Sequence, residues 1–131
     1  MEIKRILIDT SVIIDYLRRK NKEKSLFFTL VSDNQKLFIS SVSVFELLAG
    51  ADNQQKTGDV ETILSFLEII DFNCVIARKS SIYYQSLKKR NCQLEFRNLF
   101  IASTAIVYDL HVATLNVRHF SRIPEIKIIS V

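Results

Sequence analysis

Short apolar, β-branched runs alternate with longer amphipathic segments along the whole chain, and this alternation constrains the fold more than any other feature. Residues 3–8, IKRILI, are too short for a stable helix and read as a buried strand. TSVIIDYLRRK reads as a helix with Thr10 or Ser11 as cap, and KEKSLFFTLVSD as a second helix ending near the Asp33–Asn34 turn. KLFIS is the next strand, and SVSVFELLAGA a helix stopped around Gly50. The polar stretch DNQQKTG, residues 52–58, reads as a loop. DVETILSFL is helical and EIIDF a strand; NCVIARKSSIYYQSLKKR is a long amphipathic helix whose basic end suits the negative pole of its dipole. After a polar break at 91–93, FRNLFIASTAIVYD is apolar on nearly all sides and reads as a buried helix. HVATL is a strand, NVRHFSRI a short turn or helix, and IKIIS, after Pro124, a closing strand. Such alternation predicts one α/β domain over residues 1–131, with a mostly parallel sheet of about five strands between helical layers.

The composition narrows what such a domain can do. Only Gly50 and Gly58 are present, so no glycine-rich phosphate loop and no G-x-S-x-G elbow exists. His111 and His119 offer no convincing nucleophile triad. Cys74 and Cys92 stand outside any metal-binding spacing and read as free thiols at core or boundary positions. No apolar run approaches a membrane span and the start has no apolar leader segment, so cytoplasmic residence without membrane contact is expected. The net charge of +4 gathers in RRKNKEK (18–24) and KKR (88–90). These runs read as solvated helix ends, with attraction to a polyanion such as RNA as the functional alternative.

In parallel α/β sheets, ligands collect at the carboxyl ends of the strands. Asp9 ends the first strand, Glu46 lies on the helix after the second, Asn98 opens the buried helix, and Asn116 follows HVATL. Each has an ordinary role open to it. Asp9 can cap a helix, Ser43-x-x-Glu46 matches a capping box, and Asn98 and Asn116 suit caps and turns. Together, at successive strand-to-helix switches, they point to one site. Two carboxylates about 5 Å apart repel by roughly 3 kcal/mol at an effective dielectric of about 20. A hard divalent ion, Mg²⁺ or Mn²⁺, resolves that conflict, so Asp9 reads as a metal ligand. Waters on such an ion can bind a phosphodiester oxygen or supply the attacking hydroxide.

The same segments carry a family resemblance over nearly the whole chain. ILIDTSVIIDYL resembles the opening D-T-S/N stretch of PIN-domain ribonucleases of the VapC toxin type, and ISSVSVFELLAG resembles their S-S-x-x-x-x-E-L-x-x-G segment. NLFIASTAIVYDLHVATLNVRHFSRIPEIKII resembles their D-x-x-I-A-A-x-A helix, T-x-N turn and R-x-P-x-L/I ending. The resemblance implies a PIN-like three-layer α/β/α fold and Mg²⁺-dependent cleavage of RNA, leaving 3′-hydroxyl and 5′-phosphate ends. It also implies a homodimer and a VapB-type antitoxin whose tail enters the acidic cleft of a toxin–antitoxin hetero-oligomer. By residue, it makes Asp9 and Glu46 the first two metal-binding acids and lets Thr10 or Ser11 steady Asp9 or a metal-bound water. Asn98 takes the position of a third ligand, where relatives carry Asp, and Asn116 lies near a fourth. His119 stands where many relatives have Asp or Glu.

That departure has consequences. An amide oxygen ligates a hard cation but carries no charge and cannot act as a base. Metal affinity is expected to fall, and cleavage to be slow or absent. Glu95, three residues before Asn98, is a possible substitute, although a first-turn acid favoured by the helix dipole is the simpler reading. Asn98 is either native, giving an attenuated or regulatory toxin, or an engineered knock-out; both readings stay open.

Two further functions compete with the nuclease. One is a PIN-fold module that has lost catalysis and only binds RNA or antitoxin. The other is a receiver-like domain phosphorylated on Asp9, which the early position of that acid in the chain disfavours. Arg97, Arg118 and His119 are candidates for substrate binding, and no residue pattern chooses among tRNA, rRNA and mRNA. Tyr83 and Tyr84 suit packing in the core or a dimer interface better than base stacking.

Overall fold

The computed structural model describes residues 2–129. Its organising element is β1 (Arg5–Ile8), where Ile6 and Ile8 join one hydrophobic cluster and Leu7 the other, following the two-residue period of a strand. A strand apolar on both faces belongs in the middle of a sheet covered on both sides. The order is β3-β2-β1-β4-β5, with β2 (Lys36–Ser40), β3 (Glu68–Ile70), β4 (His111–Ala113) and β5 (Ile128–Ile129). Every pairing is parallel.

Helices cover both faces. On one, α1 (Thr10–Arg18), α2 (Leu26–Ser32), α3 (Ser41–Ala49) and α4 (Gln54–Leu64) bury Ile13, Phe27, Leu30, Leu47 and Ile63 against Ile6 and Ile8. On the other, α5 (Cys74–Lys89), α6 (Phe96–Val107) and α7 (Val117–Phe120) bring Leu87, Ile101 and Phe120 onto Leu7 and Val112. The α/β class and the five-stranded sheet are as the sequence predicts. Among the described residues, no helix is long and apolar enough to cross a membrane.

Three local expectations need correction. Residues 52–58 are not a loop: α4 starts at Gln54, because the Asn53 side chain accepts the Lys56 N–H at 2.8 Å and caps it. The helix expected from residue 22 is broken into a single 3-10 turn (Lys22–Lys24) and α2, because the Ser25 hydroxyl starts a new helix by accepting the Phe28 N–H at 3.1 Å. Cys74 opens α5 and is exposed, whereas Cys92 is half-buried; both are free thiols. The first basic run serves a helix end. Lys22 Nζ donates to the carbonyls of Tyr16, Leu17 and Arg19 at the close of α1, at 2.8, 3.0 and 3.2 Å.

Candidate functional site

Because the strands run in parallel, their carboxyl ends share one edge, and Asp9 emerges there from the central strand. Its backbone N–H donates to the Ala113 carbonyl at 2.9 Å, tying it to the end of β4. Asp9 occupies the cap position of α1, yet its side chain makes no capping bond. Oδ2 instead accepts from Ser11 Oγ at 2.7 Å and from Thr114 Oγ1 at 2.8 Å. Each hydroxyl is oriented from behind by a backbone amide. Ser11 Oγ accepts the Leu115 N–H at 3.1 Å, and Thr114 Oγ1 accepts the Asn116 N–H at 2.9 Å. A carboxylate only 3% exposed is costly without donors. These two supply them on one oxygen, and Oδ1 has no hydrogen-bond partner among the described residues.

Glu46 arrives from α3. The capping box anticipated between Ser43 and Glu46 does not form: Ser40 caps the helix by accepting the Val42 N–H, and Ser43 lies fully buried within it. Thr10 Oγ1 sits 2.9 Å from Glu46 Oε1 and 2.8 Å from Ser43 Oγ. A hydroxyl has one proton and a carboxylate only accepts, so Thr10 is best satisfied by donating to Glu46 and accepting from Ser43. Thr10 therefore links the second acid to the residue next to Asp9. The other oxygen, Oε2, accepts from Arg97 Nη1 at 2.8 Å.

Arg97 and Asn98 stand in the first turn of α6. The hydrogen bond to Glu46 is the main cause that pushes the Arg97 pKa above its ordinary value; burial opposes it, and the charges of Glu46, Glu95 and Asp9 add to it. Arg97, expected to meet a polyanion, is thus engaged by the site's own acids. Glu95 precedes the helix without capping it and lies 3.3 Å from Arg97 Nε through Oε2. Asn98 is 5% exposed as a whole residue. It lines a cleft of about 340 Å³ with Glu95, Arg97, Asn116, His119 and Arg122. Asn116 precedes α7 without capping it by its side chain. Arg118 is exposed and does not line the cleft.

The residues fit a weakly bound hard cation. Among the described residues no group of three His, Cys, Asp or Glu side chains converges. What remains is two carboxylates, with Asp9 Oδ1 open, and the amide of Asn98, which lines the cleft. This is an all-oxygen set that suits an ion keeping several of its own waters. Two contributors have other standing in the sequence: Thr114 goes unassigned, and Ser43 figures only in a capping box. The first was legible as the Thr of the T-x-N turn, the second as the polar residue one helical turn before Glu46.

Residues 6–126 match the family model of the PIN domain. Ribonuclease VapC of Rickettsia bellii is 29% identical, over 96% of this chain and 96% of the relative. Ribonuclease VapC1 of Methanocaldococcus jannaschii is 30% identical, over 95% of this chain and 85% of the relative. Among solved structures, DNA-bound VapBC from Salmonella typhimurium superposes with a TM-score of 0.86 at 27% identity, covering 97% of this chain and 98% of that one. VapBC2 from Rickettsia felis, bound to a promoter DNA fragment, shares the fold with a TM-score of 0.83 at 24% identity, covering 95% and 96%.

Proposed function

The chain belongs to the PIN domain family, among its VapC members, and on that premise we propose that it is the toxin of a VapBC-type pair, a metal-dependent endoribonuclease whose activity is attenuated by Asn98. The observation that carries this reading is the pair of bonds that Glu46 makes at one sheet edge, to Thr10 next to Asp9 and to Arg97 next to Asn98. Asp9, Glu46 and Asn98 would hold Mg²⁺, with Mn²⁺ as a substitute. When bound, such an ion polarises a phosphodiester oxygen and activates water for attack on phosphorus.

The chain's own residues do the rest. Ser11 and Thr114 fix Asp9 so that one oxygen stays open toward a ligand, and Thr10 orients Glu46. Asn98 supplies a neutral donor where an acid would bring charge and act as a base, which lowers both metal affinity and rate. Asn116, His119 and Arg122 line the cleft in which an RNA backbone would lie. The partners proposed are a VapB-type antitoxin and a second copy of the chain, in a hetero-oligomer within the cytoplasm. The RNA class stays open among tRNA, rRNA and mRNA.

The test is RNA cleavage with Mg²⁺ by the protein as it stands, by Asn98→Asp and by Asn98→Asp combined with Asp9→Asn. Asn98→Asp is expected to raise the rate by at least about tenfold, equivalent to about 1.4 kcal/mol of barrier, and the double variant to lose the gain. No rise would overturn the assignment of position 98. A second reading, a catalytically inactive module that binds RNA or antitoxin, is favoured by the Arg97–Glu46 ion pair, which occupies the second acid. It predicts RNA binding without cleavage even in Asn98→Asp.

A further inference from the structure

We propose that Arg97 is a built-in competitor of the divalent cation: its guanidinium neutralises Glu46 in the metal-free protein and has to leave before Glu46 can serve as a ligand. The inference rests on the reading of Asp9 and Glu46 as metal ligands and adds a control on that site. Both Glu46 oxygens are engaged, Oε1 by Thr10 at 2.9 Å and Oε2 by Arg97 at 2.8 Å, whereas Asp9 keeps Oδ1 open. The two occupants differ in kind. Thr10 is a neutral donor that leaves the carboxylate charge intact. Arg97 cancels it, so the two acids present one net negative charge to an incoming dication instead of two. A dication on the same carboxylate also repels the guanidinium.

Arg97 has somewhere to go. Its Nε already lies 3.3 Å from Oε2 of Glu95, whose side chain is 73% exposed at the start of α6. The Arg97 side chain is itself half-exposed, so release from Glu46 onto Glu95 moves no core residue. Competition weighs more here because the neutral Asn98 has already removed one charge that would draw a cation in. Arg97 thus acts on metal occupancy through Glu46 as a positioning residue.

Titration calorimetry with Mn²⁺ alone tests this on the intact chain, comparing it with Arg97→Gln, Asp9→Asn and the Arg97→Gln/Asp9→Asn double variant, with no RNA present. Arg97→Gln is expected to bind Mn²⁺ roughly tenfold more tightly, and Asp9→Asn to abolish binding in both backgrounds. Circular dichroism melts check that the variants fold, and Arg97→Met takes the place of Arg97→Gln if the latter does not. Equal or weaker binding by the Arg97 variant, with binding still lost in Asp9→Asn, overturns the competitor role and leaves the metal site standing. If no binding in either background depends on Asp9, the metal reading itself fails and the competitor role with it.

Discussion

Thr114 lies 105 residues from Asp9 in the chain and donates a hydroxyl hydrogen bond to it at 2.8 Å, while accepting the Asn116 N–H at 2.9 Å. One small side chain thus joins the end of β4 to the end of β1. Thr114→Val keeps the shape and removes both bonds. The 3%-exposed Asp9 carboxylate then retains Ser11 as its single hydroxyl donor. Losing a donor to a buried charged group costs about 1–3 kcal/mol, so the urea midpoint should fall in Thr114→Val and recover in Thr114→Ser. A Val variant as stable as the parent would mean that the bond does not form in solution.

Ser103 carries a fully buried hydroxyl with no hydrogen-bond partner among the described residues. It lies inside α6, in a stretch where Ile101, Ala102, Thr104 and Ala105 are buried as well. An orphaned hydroxyl is a net cost, and Ala also favours a helix more than Ser does. Ser103→Ala should therefore raise stability by about 1 kcal/mol, read as an increase in thermal midpoint at unchanged helix content. A loss of stability would reveal a partner for the hydroxyl.

Gly58 sits in the exposed middle of α4, and a Cβ added there meets nothing within 4 Å. Glycine in a helix interior is worse than alanine by roughly 0.5–1 kcal/mol because it surrenders more backbone freedom on folding. Gly58→Ala should stabilise by about that amount without touching the cleft, and its Mn²⁺ affinity should equal the parent's. An unstabilised variant would mean that α4 is frayed at this point.

The same helix shows what a sequence alone does not carry. The sheet was legible because IKRILI and KLFIS are apolar on both faces, which fits only a sheet covered on both sides. Residues 52–58 look like a loop because their polarity is uniform, but α4 is held by Asn53 as cap and by Val60, Ile63 and Leu64 on one buried face. Uniform polarity describes its solvent face. The acids at the strand ends were legible from topology alone. The hydroxyl network is legible only in part: the resemblance puts Thr10 or Ser11 beside Asp9, whereas the partners that Ser43 and Thr114 meet come from segments far apart in sequence. In the sequence Arg97 looks like a free cation, because charge there carries no information about a partner 51 residues away.

His111 gives the fold a dependence on pH. It is half-buried at the start of β4. Burial, then the charges of Lys127 and Lys4, lower its pKa below the ordinary value of 6.5, against smaller opposing effects of Asp109 and Glu2. The unfolded chain therefore takes up this proton at a higher pH than the folded chain. Where the unfolded state binds more protons, stability rises with pH. The contribution is complete above about pH 6.5 and is lost as pH falls from there through the lower folded pKa. Acidification from neutral toward pH 5 should thus lower the thermal midpoint, and His111→Gln, which cannot take up the proton, should flatten that slope. Identical pH profiles for the parent and His111→Gln would show that protonation of His111 is not what destabilises the fold in acid.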